Sequence, residues 1–217
     1  MLGVSGRLLT VGASPPTVTH IATGVIPLNA AGAGRVNSIP IGAPSADRVV
    51  IFTIYGTRST ISGSIGTFSV NGQTTPIIVQ QTASGSTSLV VGVACMLLPA
   101  GDTANIQIGF TGSMDSAVLR VSTLTGVANP TPHSFVRTTS NPASLSLGAT
   151  EGANVFFAAA IRSTSTQPEW TGVEALAGGS LSTRAISAAA RVHPNPSNPY
   201  PITTSSGVGA TVALAWS

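Results

Sequence analysis

The chain has 217 residues and a mass of 21.6 kDa, long enough to bury one sizeable hydrophobic core without disulfides or metal ions. Charged residues make up only 7 %, whereas a soluble domain usually carries about 25 %, and all nine basic residues are arginines. These arginines are scattered along the sequence. Nucleic-acid binding requires a clustered basic stripe with interleaved aromatic residues. Because the sequence has no such cluster, we expect no nucleic-acid partner despite the formal charge of +3.

Serine and threonine occupy most positions where a strand pattern requires an outward-facing residue. Hydroxyl groups tolerate water, and they also tolerate burial when a main-chain partner is near. A surface of this kind can lie against another protein at little desolvation cost. The composition therefore favours a protein that assembles with others.

Residues 1–40 combine little charge with many glycines and alanines. They are predicted to form either an N-terminal arm that pairs with a partner's sheet edge or the first strands of the fold, while residues 41–217 form one β-sandwich domain. The opening stretch Met1–Pro16 has an interrupted apolar segment and no basic start, so it does not predict a secretory signal.

Short alternating segments recur along the rest of the chain, separated by clusters of Gly, Pro, Asn and Ser. Phe68–Gln81 is predicted as a hairpin, because Asn71-Gly72 supplies the two positive φ angles of a type I′ turn. Gln107 and Arg120 are predicted to point outward. The predicted inward faces are Val50, Phe52 and Ile54; Ile106, Ile108 and Phe110; Leu119 and Val121; Val155, Phe157, Ala159 and Ile161; and Val212, Leu214 and Trp216.

The run Leu89–Leu98 is apolar at nearly every position, which predicts a central strand that is either covered above and below or packed against a neighbouring subunit. It is far shorter than the ~20 residues that a membrane-spanning helix needs, so we expect no membrane partner. Cys95 is the only cysteine. It is predicted to be a small buried hydrophobe rather than a reactive thiol, because no cationic residue lies near it in the sequence.

No segment shows a strong 3.6-residue period. The best helix candidate is Thr171–Gly179, where Val173, Leu176 and Ala177 could form one short turn. His193–Pro201 holds closely spaced prolines and is predicted to be an extended loop. The predicted fold class is all-β: an antiparallel β-sandwich, jelly-roll-like, with at most one short helix.

The sequence lacks the common catalytic and cofactor patterns, namely the GxSxG elbow, the phosphate loop, the calcium loop and the zinc helix. His20, His133 and His193 lie far apart, and two of them adjoin proline, so they are predicted to be surface or turn residues. Acids at turns commonly cap or close them. The acidic residues are Asp47, Asp102, Asp115, Glu151, Glu169 and Glu174. We therefore expect that the protein is not an enzyme and that it has no catalytic residue, cofactor or bound metal.

Glu169 and Trp170 form the pair most suited to contacting a sugar, since an acid beside an aromatic ring is a common arrangement in such sites. Packing of Trp170 inside the sandwich is the alternative, and we favour it because tryptophan is chiefly a large hydrophobe with one donor. In a lectin-like module, Trp170 or Tyr200 would be the stacking platform.

The segment GAPSADRVVIFTIYGTRSTISGSIGTFSVNG, residues 42–72, resembles a group of proteins encoded in the structural regions of tailed phages and prophages. Their shared features are a SADRVV opening, a β-run, a VxxGG-like hairpin and a late VFFAAA…W…GV segment, which appears here at Val155–Val173. The terminal ATVALAWS also fits, so the resemblance covers about residues 40 to 217. It implies a virion component of the head surface or tail, and it carries over no functional residues.

The resemblance and the composition together predict a structural component of a tailed-phage virion: a capsid decoration, head-fibre or tail-fibre protein that acts through protein–protein assembly. The expected partners are other virion proteins of the capsid or tail, and a homo-oligomer is expected, with a trimer as the favoured state. The expected location is the virion, assembled in the bacterial host cytoplasm. The alternative function is a carbohydrate-binding, lectin-like module that recognises a host-surface glycan.

Overall fold

A computed structural model of the protein describes residues 15–59, 63–85, 87–207 and 209–217. Within these ranges the regular elements are β-strands, and every strand pair is antiparallel. The predicted all-β antiparallel sandwich is therefore confirmed. Residues 1–14, which carry most of the stretch used to predict no secretory signal, lie outside the described ranges.

The first half of the fold contains nine strands in the described ranges. They are β1 (Thr17–Val25), β2 (Ala33–Pro40), β3 (Val49–Arg58), β4 (Ile65–Val70), β5 (Gln73–Thr74), β6 (Val79–Ala83), β7 (Ser88–Leu97), β8 (Thr103–Phe110) and β9 (Ser116–Thr125). The second half contains eight. They are β10 (Ser134–Thr138), β11 (Ser144–Leu147), β12 (Asn154–Arg162), β13 (Trp170–Thr171), β14 (Glu174–Leu181), β15 (Arg184–His193), β16 (Tyr200–Thr204) and β17 (Gly209–Trp216).

The strands form four sheets. The first large sheet has the order β1-β9-β3-β7-β6 and the first small sheet β2-β8-β4-β5, while the second large sheet is β10-β17-β12-β15-β14 and the second small sheet β11-β16-β13. Three hydrophobic clusters lie between them: one inside each half, and a shared core between the two large sheets. The molecule is thus two sandwiches stacked as four layers, rather than the single sandwich predicted for residues 41–217.

The two halves repeat one strand order. Replacing β1, β9, β3, β7 and β6 by β10, β17, β12, β15 and β14 converts one large sheet into the other. In the small sheets β2, β8 and β4 correspond to β11, β16 and β13, whereas β5 has no counterpart among the described strands. Arg58 and Arg162 end the equivalent strands β3 and β12, and both begin the tripeptide Arg-Ser-Thr. Arg162 Nη1 donates to the Gly207 carbonyl oxygen at 2.7 Å, and Arg58 lies against Gly112 in the equivalent loop.

The inward faces predicted from alternation are buried. Ile106, Ile108 and Phe110 lie in the core of the first half, and outward Gln107 is exposed. Val155, Phe157, Ala159 and Ile161 lie in the shared core together with Val212, Leu214 and Trp216. The opposite face of β12 is buried as well, because the second small sheet covers it. Strands with two apolar faces occur where a sheet is covered on both sides.

The predicted central strand Leu89–Leu98 corresponds to β7, which is buried on both faces along most of its length. Val90 and Ala94 face the core of the first half, and Leu89, Val91 and Val93 face the shared core. The prediction of cover above and below is therefore confirmed.

The Asn71-Gly72 hairpin is confirmed, with φ angles of 51° and 82° at its two central residues. Its second strand, β5, has only two residues. The predicted partner strand ended at Gln81, but its last residues belong to β6 (Val79–Ala83), which pairs with β7 in the first large sheet. The chain therefore leaves the small sheet shortly after the turn and crosses to the large one.

Two local predictions are wrong. Arg120 was expected to point outward, but it is only 2 % exposed, because its face of β9 packs against the second large sheet. The helix candidate Thr171–Gly179 is extended and contributes to β13 and β14. A register shift between Ala175 and Ala177 marks a bulge in β14, and a bulge breaks the two-residue alternation of a strand.

Residues 17–40 form β1 and β2, which pair with β9 and β8. Ile26 and Ile39 from this region are buried in the core of the first half. Residues 17–40 therefore form the first strands of the fold, which is one of the two alternatives for residues 1–40. Residues 1–14 lie outside the described ranges.

Candidate functional site

The outer face of the first small sheet carries an open groove with a volume of about 940 Å³, lined by polar side chains and by apolar residues such as Pro27, Leu28 and Ala33. Its walls are side chains that alternate with the core residues of β2, β8 and β4, and its end is closed by the Asn71-Gly72 turn. The volume falls within the usual range of ligand sites, roughly 300–1,000 Å³. The polar lining includes Arg35, Asn37, Thr67, Ser69, Thr74 and Gln107. An adjoining smaller concavity of about 430 Å³ shares Arg35, Asn37, Gly72 and Gln107 and adds Asn71 and Asn105 to the groove's polar residues.

Arg35 and Gln107 are direct cross-strand neighbours in the middle of this groove. With the amide of Gln107 oriented so that its oxygen faces the guanidinium, that oxygen accepts hydrogen bonds from Arg35 Nε, at 3.2 Å, and from Nη2. The Gln107 amide nitrogen then faces away from Arg35 as a donor. These bonds engage Arg35 Nε and Nη2, and within the described residues Arg35 Nη1 has no hydrogen-bond partner.

Two asparagines at the turn end of the groove use their side-chain oxygens to bind the main chain. Asn71 Oδ1 accepts from the Asn105 main-chain nitrogen at 2.8 Å, and Asn105 Oδ1 accepts from the Ser38 nitrogen at 3.0 Å. Ser38 has a φ of 52° and lies where the β2–β8 register shifts, so Asn105 stabilises a bulge. A bulge redirects the neighbouring side chain, here Asn37, at the groove's rim.

The groove is consequently rich in hydrogen-bond donors. The oxygens of Gln107, Asn71 and Asn105 are engaged, and within the described residues their amide nitrogens, near the Arg35 guanidinium, have no hydrogen-bond partner. No carboxylate is among the groove's lining residues. The site is therefore suited to ligands that present acceptor oxygens, above all oxygens with negative charge.

The second small sheet occupies the equivalent place in the other half but has a different outer face. Its exposed positions are held by Ser144, Ser146, Thr171 and Pro201. These side chains are short, and none carries an amide or a charge. The two halves share their strand order, so the donor-rich groove is a feature of the first half and not of the fold.

Most other arginines have structural roles. In the described part of the chain, five arginines donate to main-chain carbonyl oxygens: Arg48, Arg120, Arg137, Arg162 and Arg184. A guanidinium has five donors in a planar fork and can bind several carbonyl groups, which a lysine cannot do with the same geometry. Arg35 differs, because it is exposed and bonded to a side chain on a ligand-accessible sheet.

The sequence pointed to other residues for sugar contact. Tyr200 is only 6 % exposed, its ring stacks on Phe156 with centroids 4.0 Å apart, and its hydroxyl donates to the Gly172 carbonyl oxygen at 2.6 Å. The prediction that the Tyr200 ring is an open stacking platform for a sugar is therefore wrong. Trp170 is half-buried against the core of the second half, and its Nε1 donates to Ser187 Oγ at 2.9 Å. This placement agrees with the favoured prediction that Trp170 packs inside the sandwich. Glu169 beside it is exposed.

The three histidines lie apart in the structure. His133 Nε2 contacts the Gly148 carbonyl oxygen at 3.1 Å, and the ring of His193 packs edge-on against Tyr200. His20 is half-buried; burial, and then the charge of Arg120, lower its pKa. Its hydrogen-bond partner is the Thr23 hydroxyl, so the geometry around His20 does not assemble an acid–base pair.

Cys95 lies in β7, partly buried against the shared core, and its Sγ is 3.7 Å from the Pro130 carbonyl oxygen. Burial raises the pKa of the thiol to about 11.

Among the described residues, no group of three His, Cys, Asp or Glu side chains could hold a metal ion. A search of the same residues found no helix long and apolar enough to cross a membrane.

Comparisons with protein-family models, with curated proteins and with solved structures gave no match for this chain. Its class is therefore defined by its own fold and site: an all-β protein of two stacked antiparallel sandwiches, with one donor-rich groove on an outer sheet.

Sequence reasoning missed the groove, although part of its signal is visible. Arg35 and Asn37, and likewise Asn105 and Gln107, are pairs of large polar residues two positions apart in a chain that otherwise places Ser or Thr at such sites. The alternation puts each pair on the outer face of its own strand. Only the pairing of β2 with β8 brings the two pairs together.

Proposed function

We propose that this protein is a structural component of a tailed-phage virion, either a capsid decoration, a head-fibre or a tail-fibre protein, which acts through assembly with other virion proteins. The proposal rests on the resemblance at residues 42–72 and Val155–Val173. The observation that supports it best is the shared core, which packs two sandwiches against each other and leaves a small sheet on each outer face.

Each half is inferred to be a jelly-roll unit. In such units the first strand commonly pairs with the last, and here β1 pairs with β9 and β10 pairs with β17. Jelly rolls are frequent in capsid and lectin domains, so this inference agrees with both functions considered. Homo-oligomerisation, with a trimer favoured, remains part of the proposal.

The packed pair of sandwiches suits display on a particle. Tyr55 Oη donates to the Ser187 carbonyl oxygen at 2.9 Å across the shared core, and Trp216 Nε1 donates to the Pro130 carbonyl oxygen at 3.0 Å. The Tyr55 contact joins the two large sheets, and a buried hydrogen bond of this kind favours one arrangement of the packed layers. A protein of this kind would hold its outer faces in a constant orientation.

Cryo-electron microscopy of particles from the phage or induced prophage that encodes the chain tests this function. Density that fits the four-layer fold at a repeated position on the head or tail is expected. Particles lacking the gene should lose that density alone. If wild-type and gene-deleted particles give identical density, the virion proposal fails.

The second candidate function is saccharide binding, which the polar groove supports. Sugar hydroxyls pair with amide, hydroxyl and guanidinium groups, and these groups line the outer face of the first small sheet. This candidate is tested on a glycan array with the wild type and with Asn37→Ala. Binding that disappears in the variant supports it, and binding that Asn37→Ala leaves unchanged assigns the glycan to another surface.

A further inference from the structure

We propose that the groove on the first small sheet binds acidic saccharides, that is, sugar chains bearing carboxylates such as uronic acids. This inference rests on the second function proposed above and specifies its ligand. Three features carry it: the placement of Arg35, the orientation of three side-chain amides, and the difference between the two halves of the chain.

Arg35 supplies the charge. It is exposed on β2, it lies between Asn37 and Gln107, and no acidic residue lines the groove around it. A guanidinium binds a carboxylate through charge-assisted hydrogen bonds, which are stronger than neutral ones. The bond from Gln107 occupies Nε and Nη2, so Arg35 Nη1 is the donor that faces a ligand carboxylate.

The amides supply the remaining donors. Asn71, Asn105 and Gln107 each have an engaged oxygen, so their NH₂ groups are fixed in direction before any ligand arrives. Fixed donors lose little side-chain entropy on binding. A sugar ring beside the carboxylate would accept from these groups through its hydroxyl and ring oxygens.

The second half provides an internal comparison. Its strands β11, β16 and β13 correspond to β2, β8 and β4, but this sheet presents Ser144, Ser146 and Pro201 outward. Asn71 and Asn105 bond the main chain at the turn and at the bulge, and Gln107 bonds Arg35. The exposed strand positions of the second small sheet hold no such group. Nucleic acid is a poorer fit to the groove, because its single arginine offers few phosphate contacts and its lining presents no exposed aromatic ring for base stacking.

The experiment compares tetragalacturonate with its fully methyl-esterified form, which has the same sugar chain without the charge. Isothermal titration calorimetry on the full chain is expected to show at least about tenfold tighter binding of the acid, the change expected for one hydrogen bond to a charged group. Arg35→Gln should reduce the affinity for the acid to that for the ester. Gln107→Glu, which places a carboxylate beside Arg35, should also remove the preference.

Arg191→Gln is the matched control, because Arg191 is exposed on β15 and its loss lowers the net charge equally. Equal losses in Arg35→Gln and Arg191→Gln would overturn the inference in favour of nonspecific attraction. Equal binding of acid and ester, lost in Asn37→Ala, would overturn the acidic preference while leaving saccharide binding in place. Binding of neither probe would overturn the inference for uronic-acid chains, and the virion role would still be decided by particle imaging. Urea unfolding of each variant establishes that it is folded.

Discussion

Arg120 Nη1 donates a hydrogen bond to the Ala177 carbonyl oxygen at 2.7 Å, and this contact joins β9 of the first half to β14 of the second. The guanidinium also lies over the ring of Tyr55, 5.6 Å from its centroid. At the equivalent position of β17 the chain has Leu214, buried in the shared core. The two halves thus meet across a mainly apolar surface that a few oriented polar groups cross.

Replacing this arginine should therefore weaken the fold. Arg120→Ala leaves a cavity between the large sheets and the Ala177 carbonyl oxygen without its donor, so we expect the free energy of unfolding to fall by about 2–4 kcal/mol. Urea unfolding followed by circular dichroism measures this change. Arg191→Ala, at an exposed position on β15, should stay within about 0.5 kcal/mol of the wild type. If both variants match the wild type, Arg120 does not join the halves.

The use of arginine instead of lysine can be tested at Arg48. Its guanidinium donates to four carbonyl oxygens, those of Leu98, Gly42, Ala100 and Gly101, at 2.5–2.9 Å. Lysine keeps the charge but cannot reach all four groups, so Arg48→Lys should lower the free energy of unfolding by about 2–3 kcal/mol.

The matched control for this change is Arg191→Lys, which exchanges the same side chains on the surface. We expect about 0.5 kcal/mol or less for the control, since exposed substitutions rarely exceed that value. Equal effects of the two exchanges would show that the carbonyl contacts of Arg48 contribute nothing specific.

Tyr55 gives the fold a pH dependence in the alkaline range. Burial raises its pKa from 10.0 to about 12. A group whose pKa is raised on folding stabilises the protein fully below its unfolded pKa, and this contribution is lost as the pH rises through the folded pKa. The free energy of unfolding should therefore decline between pH 10 and 12 more steeply in the wild type than in Tyr55→Phe.

At pH 7 the same variant should be less stable than the wild type by about 1 kcal/mol, because the Ser187 carbonyl oxygen loses its donor. Guanidinium unfolding at several pH values measures both effects. Parallel stability curves for the two proteins from pH 10 to 12 would contradict the assignment.

A chain that begins at Ile39 distinguishes the two views of the N-terminal region. This truncation removes β1, which pairs along β9 from Thr17 to Val25, and most of β2. We expect the shortened chain to be unfolded or aggregated, because the β9 edge and part of the core in the first half become exposed. Size-exclusion chromatography and thermal unfolding, compared with the full chain, make the test. A soluble chain that unfolds cooperatively would support the arm alternative.

Alternation in the sequence predicted which residues of each strand share a face, but not how many layers cover that face. In a two-layer sandwich the face of Arg120 would meet water, whereas in the four-layer stack it meets the second large sheet. The pattern Leu119, Arg120, Val121 is the same in both cases. One charged residue on a face does not reveal a second sheet, because a guanidinium can be buried when carbonyl groups accept its hydrogen bonds.

The helix predicted around Val173, Leu176 and Ala177 failed for a local reason. Val173 is buried in the core of the second half, whereas Leu176, at the bulge of β14, is partly buried against the shared core. The two residues pack into different cores, and they stand three positions apart in the sequence. A spacing of three is also the signature of a helical face. Sequence spacing alone therefore could not separate a bulged strand from one turn of helix.

The duplication had a visible but short signal. Arg-Ser-Thr occurs at residues 58–60 and again at Arg162–Thr164, at the ends of equivalent strands. Three residues in a chain rich in Ser and Thr do not define a repeat by themselves.

The groove could not be predicted for a different reason. Its two polar pairs lie on β2 and β8, which are far apart in the sequence, and the pairing of these strands is set by the tertiary fold.

The measurement that tests the proposed virion function most directly is quantitative mass spectrometry of gradient-purified particles from the phage or prophage that encodes this chain. The chain should remain with the particles at a fixed ratio to the major capsid protein. Hundreds of copies per particle would indicate capsid decoration, and a handful would indicate a tail or head fibre. A chain abundant in the lysate but absent from purified particles would contradict the proposal.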